Sequence, residues 1–249
     1  MRTMEKAINQ TSNVARIERV AKVWTPDARL FVPVNKDDVV FNFPAFGGGT
    51  YDRVVKQVLA NRQRLPSGEQ DAFMLDAVYN SEDVKSSDEA EFVRNAIMSF
   101  SRLWVPVVNV WTPNSIKNPG QYAVFDEKGE GLSRKYTIEE LEDKLSGGST
   151  ERGVRFSKDR KVTFAPLNMI RAGKHNKGTL AQDGALIANY GIEGVEKLDE
   201  VAKCFAGRPY LGIVDNNTKE QIQTLSALTM SQYFGVSRLY VSFDSGGNG

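Results

Sequence analysis

The sequence predicts an α/β fold whose mixed sheet has antiparallel N-terminal hairpins and a C-terminal parallel βαβαβ unit. Short apolar runs, rich in β-branched and aromatic residues, recur along the chain and indicate strands. Between them lie segments whose apolar residues repeat every three or four positions, as on one face of a helix. In the last third of the chain the order strand, helix, strand, helix, strand is typical of parallel strands joined by right-handed crossovers.

A single globular domain is expected for residues 1–249. A chain of 249 residues can bury a large core, and no internal repeat or low-complexity tract divides it. The glycine-rich segment 146–150 is a weak possible boundary. Residues 1–26 are polar and weakly patterned, so they are expected to form a loose N-terminal arm.

An antiparallel hairpin is predicted directly after this arm. Its strands are residues 30–34 and 39–43, and the polar segment 35–38 joins them. Pro33 indicates a position at the edge of the sheet, because proline has no amide hydrogen to donate to a neighbouring strand.

Five helices are predicted where a capping residue precedes an apolar stripe. The side chain of such a residue accepts a hydrogen bond from a free amide of the first turn, and Glu or Gln three residues later completes a capping box. The candidate caps are Thr50, Ser67 with Gln70, Ser86 with Glu89, Thr137 with Glu140, and Thr218 with Gln221. Strands are expected at 107–111 and 122–125, since Pro106 ends the preceding helical pattern.

The C-terminal unit consists of three predicted strands and two predicted helices. In chain order they are the strand 185–190, a helix at 195–205, the strand 210–214, a helix over 222–228 and the strand 239–243. The segment 180–190 is open to a second interpretation, because LAQDGALIANY also suits a helix.

Composition excludes several classes of function. The net charge is +1, so any electrostatic attraction to a partner has to be local. His175 and Cys204 are the only histidine and cysteine, which excludes a His-based zinc site and an internal disulfide. There is no signal-like or membrane-spanning segment, so a cytoplasmic location and no membrane partner are expected. No cofactor is predicted, although a Mg²⁺ site made only of carboxylates leaves little trace in a sequence.

The first candidate site lies beyond the ends of the predicted C-terminal strands. Ligands of open parallel sheets bind there, where loops and helix N-termini offer free amides to an anion. The candidate ligand-binding residues are Gly191, Glu193, Gly194, Asp215, Asn216 and Asp244. The alternative is that Gly, Asn and Asp are simply the residues that tight turns require.

The second candidate is the stretch 154–177, in which lysines and arginines far outnumber the single acid. Its first half predicts a hairpin, 154–156 with 162–164, that has a core face and an exposed basic face. Its second half predicts an exposed loop. The residues expected to contact an anion or a nucleic acid are Arg155, Lys161, Arg171, Lys174, His175 and Lys177.

Two features of this stretch argue against nucleic acid. Recognition of single strands needs aromatic and basic side chains on one face, whereas the alternation places Phe156 and Phe164 opposite the basic residues. Moreover, residues 65–93 are acidic, so the two charged surfaces could neutralise each other within the chain or between protomers.

Three functions are consistent with these patterns. The first is a non-catalytic binding or assembly protein that uses the acidic and basic surfaces to bind a protein partner or a second copy. The second is a Mg²⁺-dependent enzyme that handles a phosphate or nucleotide at the strand ends. The third is a nucleic-acid-binding protein. The sequence assigns no catalytic residue and leaves open whether the protein is an enzyme.

Overall fold

The computed structural model describes residues 14–20, 27–34, 37–43, 49–98, 103–212, 221–233 and 236–244. Within these ranges the chain forms five α-helices, a small antiparallel sheet of three strands and a large mixed sheet of nine strands. The predicted α/β class is therefore confirmed. The helices are α1 (Tyr51–Ala60), α2 (Gly68–Asn80), α3 (Asp88–Met98), α4 (Ile138–Leu145) and α5 (Gly184–Lys203).

The predicted N-terminal hairpin is confirmed and belongs to the small sheet. The strands of this sheet are β1 (Arg16–Val20), β2 (Asp27–Val34) and β3 (Asp37–Phe43), in the order β1-β2-β3. Although β2 is the central strand, Pro33 lies beyond the last residue of β2 that pairs with β1. Its missing amide hydrogen therefore costs no bond to β1.

Residues 16–20, which belong to the expected arm, form the strand β1. Arg16 donates to Asp38 of β3 over 2.8 Å, and its guanidinium carbon lies 4.3 Å from the centroid of the Phe31 ring. The segment RIERV has few apolar residues, so its sequence lacks the pattern that would predict a strand. The strand depends on backbone pairing with β2 instead. Residues 1–13 and 21–26 lie outside the described residues.

The large sheet has the strand order β6-β7-β8-β5-β4-β11-β12-β10-β9. Its strands are β4 (Leu103–Thr112), β5 (Gly120–Phe125), β6 (Ser149–Glu151), β7 (Val154–Phe156), β8 (Val162–Pro166), β9 (Gly173–Lys174), β10 (Tyr210–Gly212), β11 (Ile222–Tyr233) and β12 (Val236–Asp244). The pairing of β10 with β12 is parallel, and the other pairings in this sheet are antiparallel.

The predicted parallel βαβαβ unit is not what the chain forms. Residues 185–190 begin α5, so the helical interpretation of this segment is the correct one. Residues 222–228, predicted as a helix, belong to strand β11. Both errors have the same cause, which is complete burial. Residues 184–190 are buried on all sides of the helix, and residues 224–228 are buried on both faces of the sheet. An element without a solvent-exposed side lacks the polar positions that reveal its period.

Three predicted caps lie at, or within one residue of, the residue whose side chain caps a helix, whereas Thr50 precedes α1 without a side-chain capping bond and the cap predicted at Thr218 precedes a strand. Ser67 and Gln70 form the complete capping box of α2, and Thr137 caps α4. In front of α3 the cap is Ser87 rather than Ser86, because the Ser87 hydroxyl accepts from the amide of Ala90. Capping signals are local, so they do not depend on which strands become neighbours.

Helices cover both faces of the large sheet. In β4, Val107 faces a core that α2, α3, α5 and the small sheet share, whereas Val108 faces a second core with α1 and α4. The second core extends over β5 and β8, where it includes Tyr122 and Val162. The face of the sheet that carries this second core is called the α4 face below.

The carboxyl group of Asp71 in α2 is buried in the first core, and hydrogen bonds do not fully offset the cost of this burial. It is 1% exposed, and its Oδ2 has no hydrogen-bond partner. Burial raises the pKa of Asp71 well above its usual value, because the ionised form is the one that burial penalises.

We therefore expect Asp71→Asn to be more stable than the wild type at neutral pH. The folded state holds the Asp71 proton more tightly than the unfolded state does, so this residue makes stability fall as pH rises above about 4. Urea unfolding at several pH values measures the difference. It should vanish near pH 4 and grow toward neutral pH, and a difference that is independent of pH would contradict the assignment.

Candidate binding surface

The first three residues of the predicted site at the C-terminal strand ends do not follow a strand. Gly191, Glu193 and Gly194 lie inside α5 rather than after a strand. Asp215 and Asn216 lie outside the described residues, and so does the side chain of Asp244, the last residue of β12. Among the residues that the structure describes, no group of three or more His, Cys, Asp or Glu side chains is placed to hold a metal ion.

Gly191 and Gly194 serve helix packing. Gly191 has φ 70° and ψ 171°, a conformation that only glycine adopts readily, and it bends α5. A Cβ at Gly194 would lie 3.0 Å from the Cα of Glu69, so the glycine lets α5 approach α2 closely. Burial, followed by the charge of Glu193, raises the pKa of Glu69. This surrounding negative charge opposes the phosphate binding that the sequence suggested.

The cations of the predicted basic hairpin are already paired. Arg155 donates two hydrogen bonds to Glu142, of 3.1 and 2.9 Å, and Lys161 donates to Glu127. The carboxylates that pair with Arg155 and Lys161 therefore lie outside the acidic segment 65–93. Arg155 and Lys161 are consequently poor candidates for contact with an external anion.

The exposed basic face of this hairpin is also not as predicted. Thr163 is buried, since its hydroxyl donates to the carbonyl of Ala188 in α5 over 2.8 Å. Phe164 is a core residue, yet it shares its face with Arg155, whose guanidinium carbon lies 5.6 Å from the ring centroid. Alternation along each strand predicted that Arg155 and Phe164 lie on opposite faces. In the structure they are partners on neighbouring strands, and cross-strand partners lie on the same face.

His175 is buried rather than exposed on a loop, with 6% of its surface accessible. Its backbone amide donates to the carbonyl of Pro209 over 2.9 Å, and its Nε2 donates to the carbonyl of Arg171 over 2.8 Å. Its own carbonyl accepts from Nε of Arg208 over 3.2 Å. His175 thus joins the segment after β9 to the segment before β10, which is a structural role.

Two buried carboxylates attach the surrounding loop to α5. Asp183 accepts from the amide of Arg171 while it caps α5 through the amides of Ala185 and Leu186. Asp199 accepts from three amides farther along the loop, those of Gly178, Leu180 and Ala181. The loop 171–182 is therefore held in one conformation by hydrogen bonds to charged acceptors.

Four exposed cations lie on this loop and on the segment that precedes β10. They are Arg171, Lys174, Lys177 and Arg208, called the basic edge below. None of them has a carboxylate partner among the described residues; Lys177 donates to the carbonyl of Phe205 instead. Three of the four were predicted as anion contacts, and Arg208 was missed because it lies outside the basic stretch of the sequence.

Two tyrosines lie beside the basic edge on the α4 face. Tyr210 of β10 and Tyr240 of β12 are paired across the strands, and their rings stack with 5.3 Å between centroids and 4° between planes. Lys174 of β9 is the cross-strand neighbour of Tyr210, so its side chain lies on the same face. A Cβ at Gly212 would overlap the Tyr240 hydroxyl, so the absence of a side chain there makes room for this ring.

The tyrosines are not core residues. Both are half-buried, whereas their neighbours Leu211 and Val241, which face α5, are 1% and 2% exposed. In the described part of the chain, α1 and α4 pack in the core built on β4, β5 and β8, and β10 has its main contacts with β9 and β12. The described helices therefore cover one part of the α4 face and leave the tyrosine pair at its other end.

No protein-family model, curated protein or solved structure matches this chain. None of the described helices has the length and apolar character needed to cross a membrane. The basic edge, with the tyrosine pair beside it, combines exposed cations and aromatic rings on one surface.

Proposed function

We propose that this protein is a non-catalytic binding protein that takes an anionic partner on the basic edge. The observation that carries the proposal is the contrast between the two halves of the basic stretch. Arg155 and Lys161 in the hairpin have carboxylate partners, whereas Arg171, Lys174 and Lys177 have none in the described part of the chain. Exposed cations that lack a carboxylate partner attract a polyanion.

The order of the loop supports the same proposal. Asp183 and Asp199 hold the backbone that carries Arg171 and Lys177, and Arg208 is held by its hydrogen bond to the carbonyl of His175. A partner therefore meets charges that are already in position, so little conformational entropy is lost when it binds. No catalytic group is part of this proposal, because His175 is buried and engaged in structural bonds.

Retention on heparin tests the proposal, because heparin offers negative charge without bases or peptide side chains. The double variant Arg171→Ala, Lys174→Ala should bind heparin about 25-fold more weakly at low salt, at about 1 kcal/mol for each cation–anion contact in water. The matched control is Arg64→Ala, Lys117→Ala, which removes one exposed arginine and one exposed lysine elsewhere.

The control variant has the same net charge as the edge variant, so it separates local recognition from a general effect of charge. It should retain wild-type affinity within about twofold. Equal losses of affinity in the two double variants, or no heparin binding by the wild type, would overturn the proposal.

A further inference from the structure

We infer that the protein forms a symmetric dimer in which the edge strand β3 pairs antiparallel with β3 of a second copy. This surface differs from that of the proposed function, because β3 belongs to the small sheet and the basic edge lies at the end of the large one. Within the described residues, β3 has β2 on one side and no strand on the other. The outward amides and carbonyls of such a strand are a template for pairing with another chain.

Strand β3 lacks the features that protect the other sheet edges. The edge strands of the two described sheets are β1, β3, β6 and β9. Strands β6 and β9 have only three and two residues, and β1 carries Arg16, Glu18 and Arg19 among its five. Short length and charge both discourage pairing with another chain. By contrast, β3 pairs over seven residues without a register shift, contains no proline or lysine, and carries its acids only at its start.

The first core is incomplete along β3. The core-facing residues Val39 and Phe41 are only half-buried, whereas their partners on β2, Val32 and Leu30, are 2% and 1% exposed. On the opposite face of the strand, Val40 is 41% exposed. A further strand beside β3 would cover apolar side chains on both faces, and burial of apolar surface favours association.

The sequence of β3 suits pairing with itself. An antiparallel pairing centred on Val40 places Val40 opposite its own counterpart and Val39 opposite Phe41 of the second copy, so the half-buried core-facing residues cover each other. Asp38 then lies opposite Asn42, whose side-chain amide is a donor for a carboxylate. Each pair joins residues of the same orientation in the two strands, as the alternating hydrogen bonds of an antiparallel ladder require.

The same register keeps the acids of the two copies apart. Asp38 of one copy lies four positions from its counterpart, because it faces Asn42, and at about 3.3 Å per residue this separates the two by about 13 Å. The separation exceeds the Debye length of about 8 Å at physiological salt. Asp38 is also paired within its own copy with Arg16, over 2.8 Å. A second copy therefore meets no close like charge at this edge, and a two-fold axis is the commonest symmetry of protein oligomers.

Sedimentation velocity at loading concentrations from about 1 µM to about 1 mM tests the inference. One strand from each copy makes a small interface, so we expect a dimer that dissociates on dilution. Val40→Lys should raise the dissociation constant at least about fivefold, because two like charges would lie about 5 Å apart at the centre of the interface. A protein that is monomeric at every concentration would overturn the inference.

Ile116→Lys is the matched control for this substitution. It adds the same charge and removes an apolar side chain at a fully exposed position between β4 and β5. It should leave the dissociation constant within about twofold of the wild type. Equal losses in the two variants would show that the dimer is not built on β3. Circular dichroism checks that both variants are folded.

Hydrogen exchange tests the same interface on the wild-type protein. The amides of β3 that face away from β2 should exchange more slowly at high protein concentration than at low concentration, whereas the amides of the other edge strand, β1, should not change. Exchange in β3 that is independent of concentration while the protein dimerises would place the interface elsewhere and refute the inference.

Cross-linking tests the register. Cys204 is the only cysteine of the chain, so Val40→Cys in a Cys204→Ser background leaves a single thiol at the centre of the proposed interface. Mild oxidation should join two copies through this thiol, since cross-strand partners lie within about 5 Å of each other. Ile116→Cys in the same background should not cross-link. A dimer that cross-links no better at position 40 than at position 116 would contradict the pairing centred on Val40.

Discussion

Replacing Gly191 with alanine is expected to destabilise the protein by about 2–3 kcal/mol, the cost of a side chain in a backbone conformation that is essentially confined to glycine. The residue has φ 70° and ψ 171° and bends α5 where that helix packs on α2. An alanine Cβ would lie 3.2 Å from Oε1 of Glu69, so the contact adds to the strain. Equilibrium unfolding in urea measures the loss.

Gly178→Ala is the matched control for this substitution. Gly178 has φ 82°, but a Cβ there would have no other atom within 4 Å. Its replacement should therefore cost only the backbone strain of a positive φ, about 1 kcal/mol. If Gly191→Ala were no more destabilising than Gly178→Ala, the bend of α5 would not be the reason for glycine at position 191.

Replacing Asp199 with alanine is expected to cost about 3 kcal/mol of folding stability and to release part of the loop that carries the basic edge. The Asp199 carboxylate is 5% exposed and accepts hydrogen bonds of 2.9, 3.2 and 3.3 Å from the amides of Gly178, Leu180 and Ala181. Without the Asp199 carboxylate, the three amides lose a charged acceptor. The Leu180 amide is buried, so no water molecule can replace that acceptor.

Two measurements check this expectation, urea unfolding and amide hydrogen exchange. Exchange at Gly178, Leu180 and Ala181 should accelerate in the variant. Glu200→Ala is the control, because Glu200 is the next residue of α5 but is exposed and forms a surface ion pair with Lys203. It should change stability by less than about 0.5 kcal/mol. Unchanged exchange in Asp199→Ala would show that the loop is held by other contacts.

Local features of the fold were predictable because they depend on neighbouring residues alone. The capping box of Ser67 and Gln70, the Thr137 cap and the 154–156 hairpin strand all formed as the sequence indicated. Each involves residues a few positions apart, so its geometry is the same whatever the rest of the chain does.

The errors lie where tertiary burial decides. Residues 222–228 carry apolar side chains three residues apart, Ile222, Leu225 and Leu228, which resembles a helical stripe. In β11 the same spacing places Leu225 and Leu228 on opposite faces of a sheet that is covered on both sides. The same residues satisfy either structure, and the neighbouring strands β4 and β12 determine which one forms.

The candidate site was predictable only in part. Arg171, Lys174 and Lys177 were found from charge density, but Tyr210 and Tyr240 were not. A signal existed in LYVSF, where Tyr240 alternates with Leu239 and Val241 and so points to the opposite face. That Tyr210 lies beside it depends on the parallel pairing of β10 and β12, which no local pattern shows.

The sequence by itself determined the α/β class, most helix starts, and the concentration of positive charge in 154–177, because composition, capping and local periodicity are properties of short segments. Only the tertiary structure decided which of those charges have partners. It paired Arg155 and Lys161 with nearby acids, buried His175, and left Lys174 beside two stacked tyrosines. The physical reason is that ion pairing and burial depend on distances between residues far apart in the chain, and strand order sets those distances.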